Sequence, residues 1–194
     1  MKKFMFLASL AACFAGGEAL GQSQTLGSGL VGYWTFDETS GGTLHDSSGN
    51  GRNGSLVNFP GGQGNWTAGR IGGALQFGGP SSGESVSVPN FTMPTASMTI
   101  TAWVWANSLR PWGTIAANWN GAWGAFNYSL FGADPYLSLY VADGMAPGAV
   151  NIDYGFSSAP FTAHQWHFVA VVANAATGKV TFMQDNLPAG SFDY

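Results

Sequence analysis

Asp37, Glu38 and Asp46 are the residues whose type and spacing could do chemistry. They are three carboxylates within one short stretch, "GYWTFDETSGGTLHDSSGNGRNGSL", from Gly32 to Leu56. Carboxylates grouped in this way work as paired acid and base, as oxygen ligands to a hard cation, or as acceptors that shape a turn. Glycoside hydrolysis takes two carboxyl groups that converge, about 5–5.5 Å apart in retaining enzymes and about 6.5–9.5 Å in inverting ones. Asp37 and Glu38 are adjacent, so on an extended chain they point to opposite faces. Glu84, Asp143 and Asp153 stand alone, and His45, His164 and His167 show neither H-x-x-x-H nor H-x-x-E spacing. These patterns predict a protein that is not an enzyme.

Cation binding has better local support. Asp46-Ser47-Ser48-Gly49-Asn50-Gly51 puts oxygen donors on a tight loop that glycine makes possible, and calcium takes six to eight oxygens from such loops. Asp46 is the first candidate ligand, Asn50 the second, and Asp37 approaches from the end of the preceding segment. The alternative is that Asp46 and Asn50 make Asx-turns and bind nothing.

A second group of residues fits sugar. "RPWGTIAANWNGAWGAFNY" interleaves Trp119 and Trp123 with Asn118 and Asn120. An indole face stacks on the C–H edge of a pyranose while amides hydrogen-bond its hydroxyls. The same tryptophans could instead plug a core. Trp34, Trp103 and Trp166 read as core.

Composition narrows the partners. Only 8% of residues are charged, the formal net charge is −4, and the one basic pair is Lys2-Lys3, so a nucleic-acid surface is not expected. Hydrophobic residues reach 45% but are spread along the chain, which favours a packed core over a transmembrane segment. Lys2-Lys3, the apolar run Phe4–Gly17 and the small-x-small pattern Ala19-Leu20-Gly21 predict a bacterial signal peptide over 1–21, cleaved before Gln22. "LAAC" offers the alternative of a lipid anchor on Cys13, the single cysteine of the chain. An exported domain with no disulfide is then held by packing or by a metal.

Apolar residues recur with a period of two, and Gly, Pro, Asn and Ser clusters separate the runs. Candidate strands are Val31–Phe36, Ser55–Asn58, Ala74–Gly78, Ser85–Val88, Met98–Asn107, Thr114–Ala117, Asn127–Phe131, Tyr136–Val141, Trp166–Ala173 and Val180–Gln184. In "MTITAWVWA", Met98, Ile100, Ala102 and Val104 share one face, and Thr99, Thr101, Trp103 and Trp105 share the other. "ANAATGKV" reads as a hairpin turn with Gly178 at positive φ.

Several of these segments resemble one family in its order. "LVGYWTFDETSGGTLHDSSGNGRNGSL", "GRIGGALQFGG", "SVSVP", "MTITAWVWA" and "QWHFVAVVANAATGKVTFMQDN" are similar to the successive motifs of LamG-like domains, the concanavalin A-like lectin/glucanase jelly rolls. The resemblance runs from about Leu30 to Asn186. It implies an all-β, two-sheet antiparallel jelly-roll sandwich over 30–194, preceded by a short segment, 22–29, and lacking the family's last strands. It also implies a structural calcium near the Asp46 loop. The Glu-x-Asp-x-x-Glu strand of the glucanases on this fold is absent. The expected function is a secreted or cell-surface module that binds a glycan or cell-surface polymer, the alternative being a protein–protein spacer.

Overall fold

The computed structural model describes residues 4–7, 29–79, 81–89, 97–108, 113–117, 128–133, 136–142 and 152–193. Along the chain the strands are β1 (Phe4–Leu7), β2 (Thr43–Leu44), β3 (Gly54–Val57), β4 (Trp66–Ala68), β5 (Gly73–Phe77), β6 (Ser85–Ser87) and β7 (Ser97–Ala106). Then come β8 (Gly113–Ala117), β9 (Tyr128–Ala133), β10 (Tyr136–Ala142), β11 (Ile152–Pro160), β12 (Trp166–Asn174), β13 (Lys179–Gln184) and β14 (Leu187–Asp193). The described pairings make an antiparallel sheet in the order β14-β13-β12-β7-β1-β5-β4, a second in the order β11-β10-β9-β8, and a small one in the order β2-β3-β6. The chain is thus all-β, as in a concanavalin A-like jelly roll. No helix among the described residues is long and apolar enough to cross a membrane.

Strict alternation builds the centre. In β7, Met98, Ile100, Ala102, Val104 and Ala106 are buried while the residues between them are half-exposed. β12 pairs with β7 in unbroken register, setting Val169 opposite Ala102 and Val171 opposite Ile100. Val180 and Phe182 of β13 continue the same face, and Leu137 and Leu139 of β10 complete the cluster. Each such side chain fully withdrawn from water contributes about 1.5–3 kcal/mol before entropy is counted.

Two tight turns fix the last three strands. In the β12–β13 turn, Gly178 has φ 61°, and the Asn174 side chain accepts from Ala176 N at 3.0 Å. The β13–β14 turn is Asp185-Asn186, with φ of 52° and 66°, the paired left-handed residues of a type I′ hairpin. Where the β10–β11 register shifts between Tyr136 and Ser138, Leu137 N would lose its ladder acceptor. The buried Ser157 hydroxyl accepts that bond at 3.0 Å and donates to Ala159 O.

Three features depart from the sequence reading. Val31–Phe36 is not a strand: Trp34 makes one bridge, with Asp46, and Phe36 turns the chain at φ 60°. β14 forms from "LPAGSFD", whose proline and glycine hide its pattern. Finally, residues 4–7, set apart above as leader, lie between β7 and β5.

Candidate functional site

The three acidic residues of the Gly32–Leu56 stretch are each tied to backbone. Asp46 Oδ1 accepts from Tyr33 N at 3.0 Å and Ser48 N at 2.9 Å. Its Oδ2 accepts from Ser48 Oγ at 2.8 Å and Arg52 N at 2.9 Å. A carboxylate offers about four lone-pair sites, so this one is saturated. Gly49 and Gly51, at φ 87° and 70°, let the loop curl until its N–H groups converge. Burial is the largest single influence on Asp46 and opposes ionisation. The Ser48 hydroxyl and the N–H groups of Arg52, Ser48 and Tyr33 together outweigh it, holding the carboxyl below its usual 3.8.

The neighbours of Asp46 are equally engaged. Asn50 turns its amide nitrogen to Leu30 O at 2.9 Å, Val31 O at 3.1 Å and Ser48 Oγ at 3.0 Å. Arg52 Nη1 donates to Val31 O at 2.9 Å, and Arg52 O receives the indole N–H of buried Trp34 at the same length. Asp37 faces elsewhere, its Oδ1 accepting from Gly73 N at 2.6 Å. Gly73 has to be glycine, because a Cβ there would strike the carbonyl of Phe36. Glu38 Oε1 accepts from His45 N at 2.7 Å and lies 3.1 Å from His45 Nδ1. Its Oε2 is buried without a hydrogen-bond partner.

This donor set does not fit calcium. The cation needs free oxygen lone pairs, whereas four N–H and O–H groups are aimed at Asp46 and Asn50 presents N–H to carbonyls. Asp37 and Asp46 serve different loops. Among the described residues no three of His, Cys, Asp and Glu form a metal-binding group. The arrangement is that of Asx-type turns anchoring the N-terminal segment.

The sugar-binding candidates Asn118, Trp119, Asn120 and Trp123 lie outside the described residues. Aromatic residues do gather elsewhere. Trp34 is in the core at 4% exposure, but Trp103 and Trp166 are half-buried at its border, on the face opposite Val104 and His167. That corrects their reading as core. Register sets Trp105 opposite Trp166 and Trp103 opposite Phe168, with ring centroids 5.9 and 5.4 Å apart. Arg70 adds its guanidinium 5.6 Å from the Trp103 ring centre, and Trp105 Nε1 donates to Asn107 Oδ1 at 3.3 Å. Two aromatic-x-aromatic triplets on neighbouring strands, Trp103-Val104-Trp105 and Trp166-His167-Phe168, were the available signal for this ladder.

A polar cluster also escaped the spacing rules. His167, 3% exposed, places Nδ1 2.7 Å from Asp185 Oδ2 and Nε2 2.8 Å from Thr162 Oγ1. Asp185 Oδ1 also accepts from Phe168 N at 2.9 Å. Gln165 joins through Nε2, 3.1 Å from the same imidazole nitrogen. Phe161 packs on the imidazole, ring centres 4.4 Å apart, and the cluster pins the start of β12 to the β13–β14 turn. Eighteen residues separate the partners, which no short motif captures.

A laminin-G-type family model described as Concanavalin A-like lectin/glucanases superfamily matches residues 78–194. No curated protein matches the chain.

Proposed function

Because the chain belongs to the concanavalin A-like lectin/glucanases superfamily, we propose that it is a secreted, non-catalytic module that binds glycans or cell-surface polymers through half-exposed aromatic rings. The observation that carries this reading is the half-buried ladder of Trp103, Trp105, Trp166 and Phe168. Such rings take the apolar face of a sugar, and each stacked pair contributes on the order of 1 kcal/mol. Only 8% of the chain's residues are charged, which suits a neutral polymer. Trp119 and Trp123, with Asn118 and Asn120, extend the proposed binding set. Export rests on 1–21 acting as a signal peptide, with lipidation of Cys13 as the alternative route to the cell surface.

A non-catalytic role is supported by Asp37, Glu38 and Asp46, each of which accepts from loop backbone. The exposed apolar side chains Ile71, Phe156 and Leu187 favour a second reading, a protein–protein spacer. A glycan array separates the two. Binding that falls several-fold in Trp105→Ala and Trp119→Ala variants that stay folded supports glycan recognition. Silence across the array, or binding indifferent to both variants, refutes it. Polysaccharide hydrolysis lost on Glu38→Gln would refute the non-catalytic role.

A further inference from the structure

The imidazole of His167 has a carboxylate on one side and donors on the other. Nδ1 lies 2.7 Å from Asp185 Oδ2, and a carboxylate oxygen only accepts, so Nδ1 carries the proton. Nε2 then holds a lone pair, and the groups around it agree: the Thr162 hydroxyl at 2.8 Å, the Gln165 amide nitrogen at 3.1 Å and Thr162 N at 3.4 Å. Asp185 is fixed in turn, its Oδ1 accepting from Phe168 N at 2.9 Å. The loop between β11 and β12 delivers the hydroxyl. His164 takes φ 66° and donates its N–H to Ala106 O at 2.8 Å, which folds Thr162 back onto the ring five residues further on.

A hydroxyl bonded to an imidazole whose other nitrogen is held by a carboxylate is the arrangement that turns an alcohol into a nucleophile. Pinning β12 to the β13–β14 turn takes His167 and Asp185, but it does not take the hydroxyl. His167 is 3% exposed, whereas Thr162 is exposed. The base is therefore buried and the group it would deprotonate is open to solvent. The transferred proton also has an acceptor waiting, since Thr162 O lies 3.1 Å from Nε2.

We propose that Thr162 is an acyl-acceptor site for activated esters and thioesters, with His167 as its general base and Asp185 positioning the imidazole. Thr162 Oγ1 attacks the acyl carbonyl and forms the new C–O bond, and its proton passes to His167 Nε2. The bond to the leaving group then breaks with its electron pair, and the departing alcohol or thiol takes the proton from Nε2. The Gln165 amide, which donates to Oγ1, is the donor on hand for the carbonyl oxygen. One exposed side-chain donor stabilises a developing oxyanion less than a pair of fixed N–H groups, which confines the reaction to activated acyl donors. Burial of the imidazole keeps water from Nε2, so the ester persists. One acyl group per chain is a stoichiometric modification and not turnover, and glycan recognition plays no part in it.

The test exposes the full chain to p-nitrophenyl acetate, follows p-nitrophenolate by absorbance, and locates acetyl groups by peptide mass spectrometry. The expected result is a burst of one nitrophenolate per chain above the slow background of the lysines, with the acetyl group on Thr162. Thr162→Val, which keeps the shape and removes the hydroxyl, should abolish the burst, and Thr162→Ser should retain it. Asp185→Asn leaves the hydroxyl in place but no longer fixes the proton on Nδ1, and should slow the burst by at least about tenfold. A cluster that only pins the hairpin would leave Thr162 no more reactive than the exposed hydroxyls of Thr67 and Ser81. Equal acetylation of all three in the parent chain, a burst that survives Thr162→Val, or an unchanged burst rate in Asp185→Asn would each overturn the proposal. If Asp185→Asn does not fold, the acetylation pattern of the parent and of Thr162→Val decides.

Discussion

Replacing Asp46 with alanine removes the acceptor for four donors at once: the N–H groups of Tyr33, Ser48 and Arg52 and the Ser48 hydroxyl. All four bonds are partly buried, so water recovers them incompletely. At a net value of about 1 kcal/mol each, Asp46→Ala should cost about 3–4 kcal/mol, a large share of the stability of an ordinary domain. Asp46→Asn is the sharper probe. Its amide oxygen keeps two of the bonds, while its NH2 faces the Ser48 hydroxyl, which can rotate, and Arg52 N–H, which cannot. That variant should lose about 1–2 kcal/mol. Denaturant unfolding followed by tryptophan fluorescence at pH 7, in chelator, measures both. The sign of the pH dependence follows from the lowered carboxyl. The stabilisation is complete above the unfolded value of about 3.8 and is lost as pH falls through the folded one. The gap between parent and Asp46→Ala should therefore narrow below pH 3.8. Losses under about 1 kcal/mol in chelator, or a parent melting temperature that climbs with added calcium, would refute the hydrogen-bonded anchor.

Three further outcomes follow from the packing. Gly73→Ala should destabilise by about 1–3 kcal/mol, because its new Cβ meets the Phe36 carbonyl; an unaltered denaturation midpoint would contradict this. Trp34→Ala should cost about 3–5 kcal/mol as a buried indole bonded to Arg52 O, whereas Trp105→Ala, half-exposed, should cost well under half of that in the same assay. His167→Phe keeps a ring against Phe161 but strips partners from Asp185 and Thr162, and a loss of about 2 kcal/mol is expected by thermal melting.

The central sheet was legible because β7 and β13 bury one face and alternate cleanly and β12 departs from this only at buried Ala170; their ends fall within a residue of the sequence boundaries. β14 was not, since Pro188 and Gly190 interrupt its alternation and its pairing is supplied by the turn at Asp185-Asn186. The segment Val31–Phe36 has the composition of a strand, but side chains take its backbone groups in place of a ladder: Asp46 accepts from Tyr33 N, and Asn50 and Arg52 donate to Val31 O. Asp46 and Asn50 were correctly placed on a glycine-shaped loop. Whether their polar atoms face a cation or the loop's own N–H groups depends on dihedral angles that residue types leave open. The face occupied by Trp103 was readable from the alternation in "MTITAWVWA"; reading it as core took residue type as a guide to burial.

The position of β1 has a kinetic consequence. β12, β13 and β14 meet through turns of a few residues, and hairpins of this kind close in about 1–10 μs. β1 instead waits for partners about 70 and about 100 residues further along, and such non-local pairings form slowly. During synthesis at roughly 5–20 residues per second, its nearer partner emerges on the order of 4–15 s after it does. The first strand to be made is thus among the last that can be laid down. Throughout that interval any other binder of the N-terminus competes with β5 and β7 unopposed.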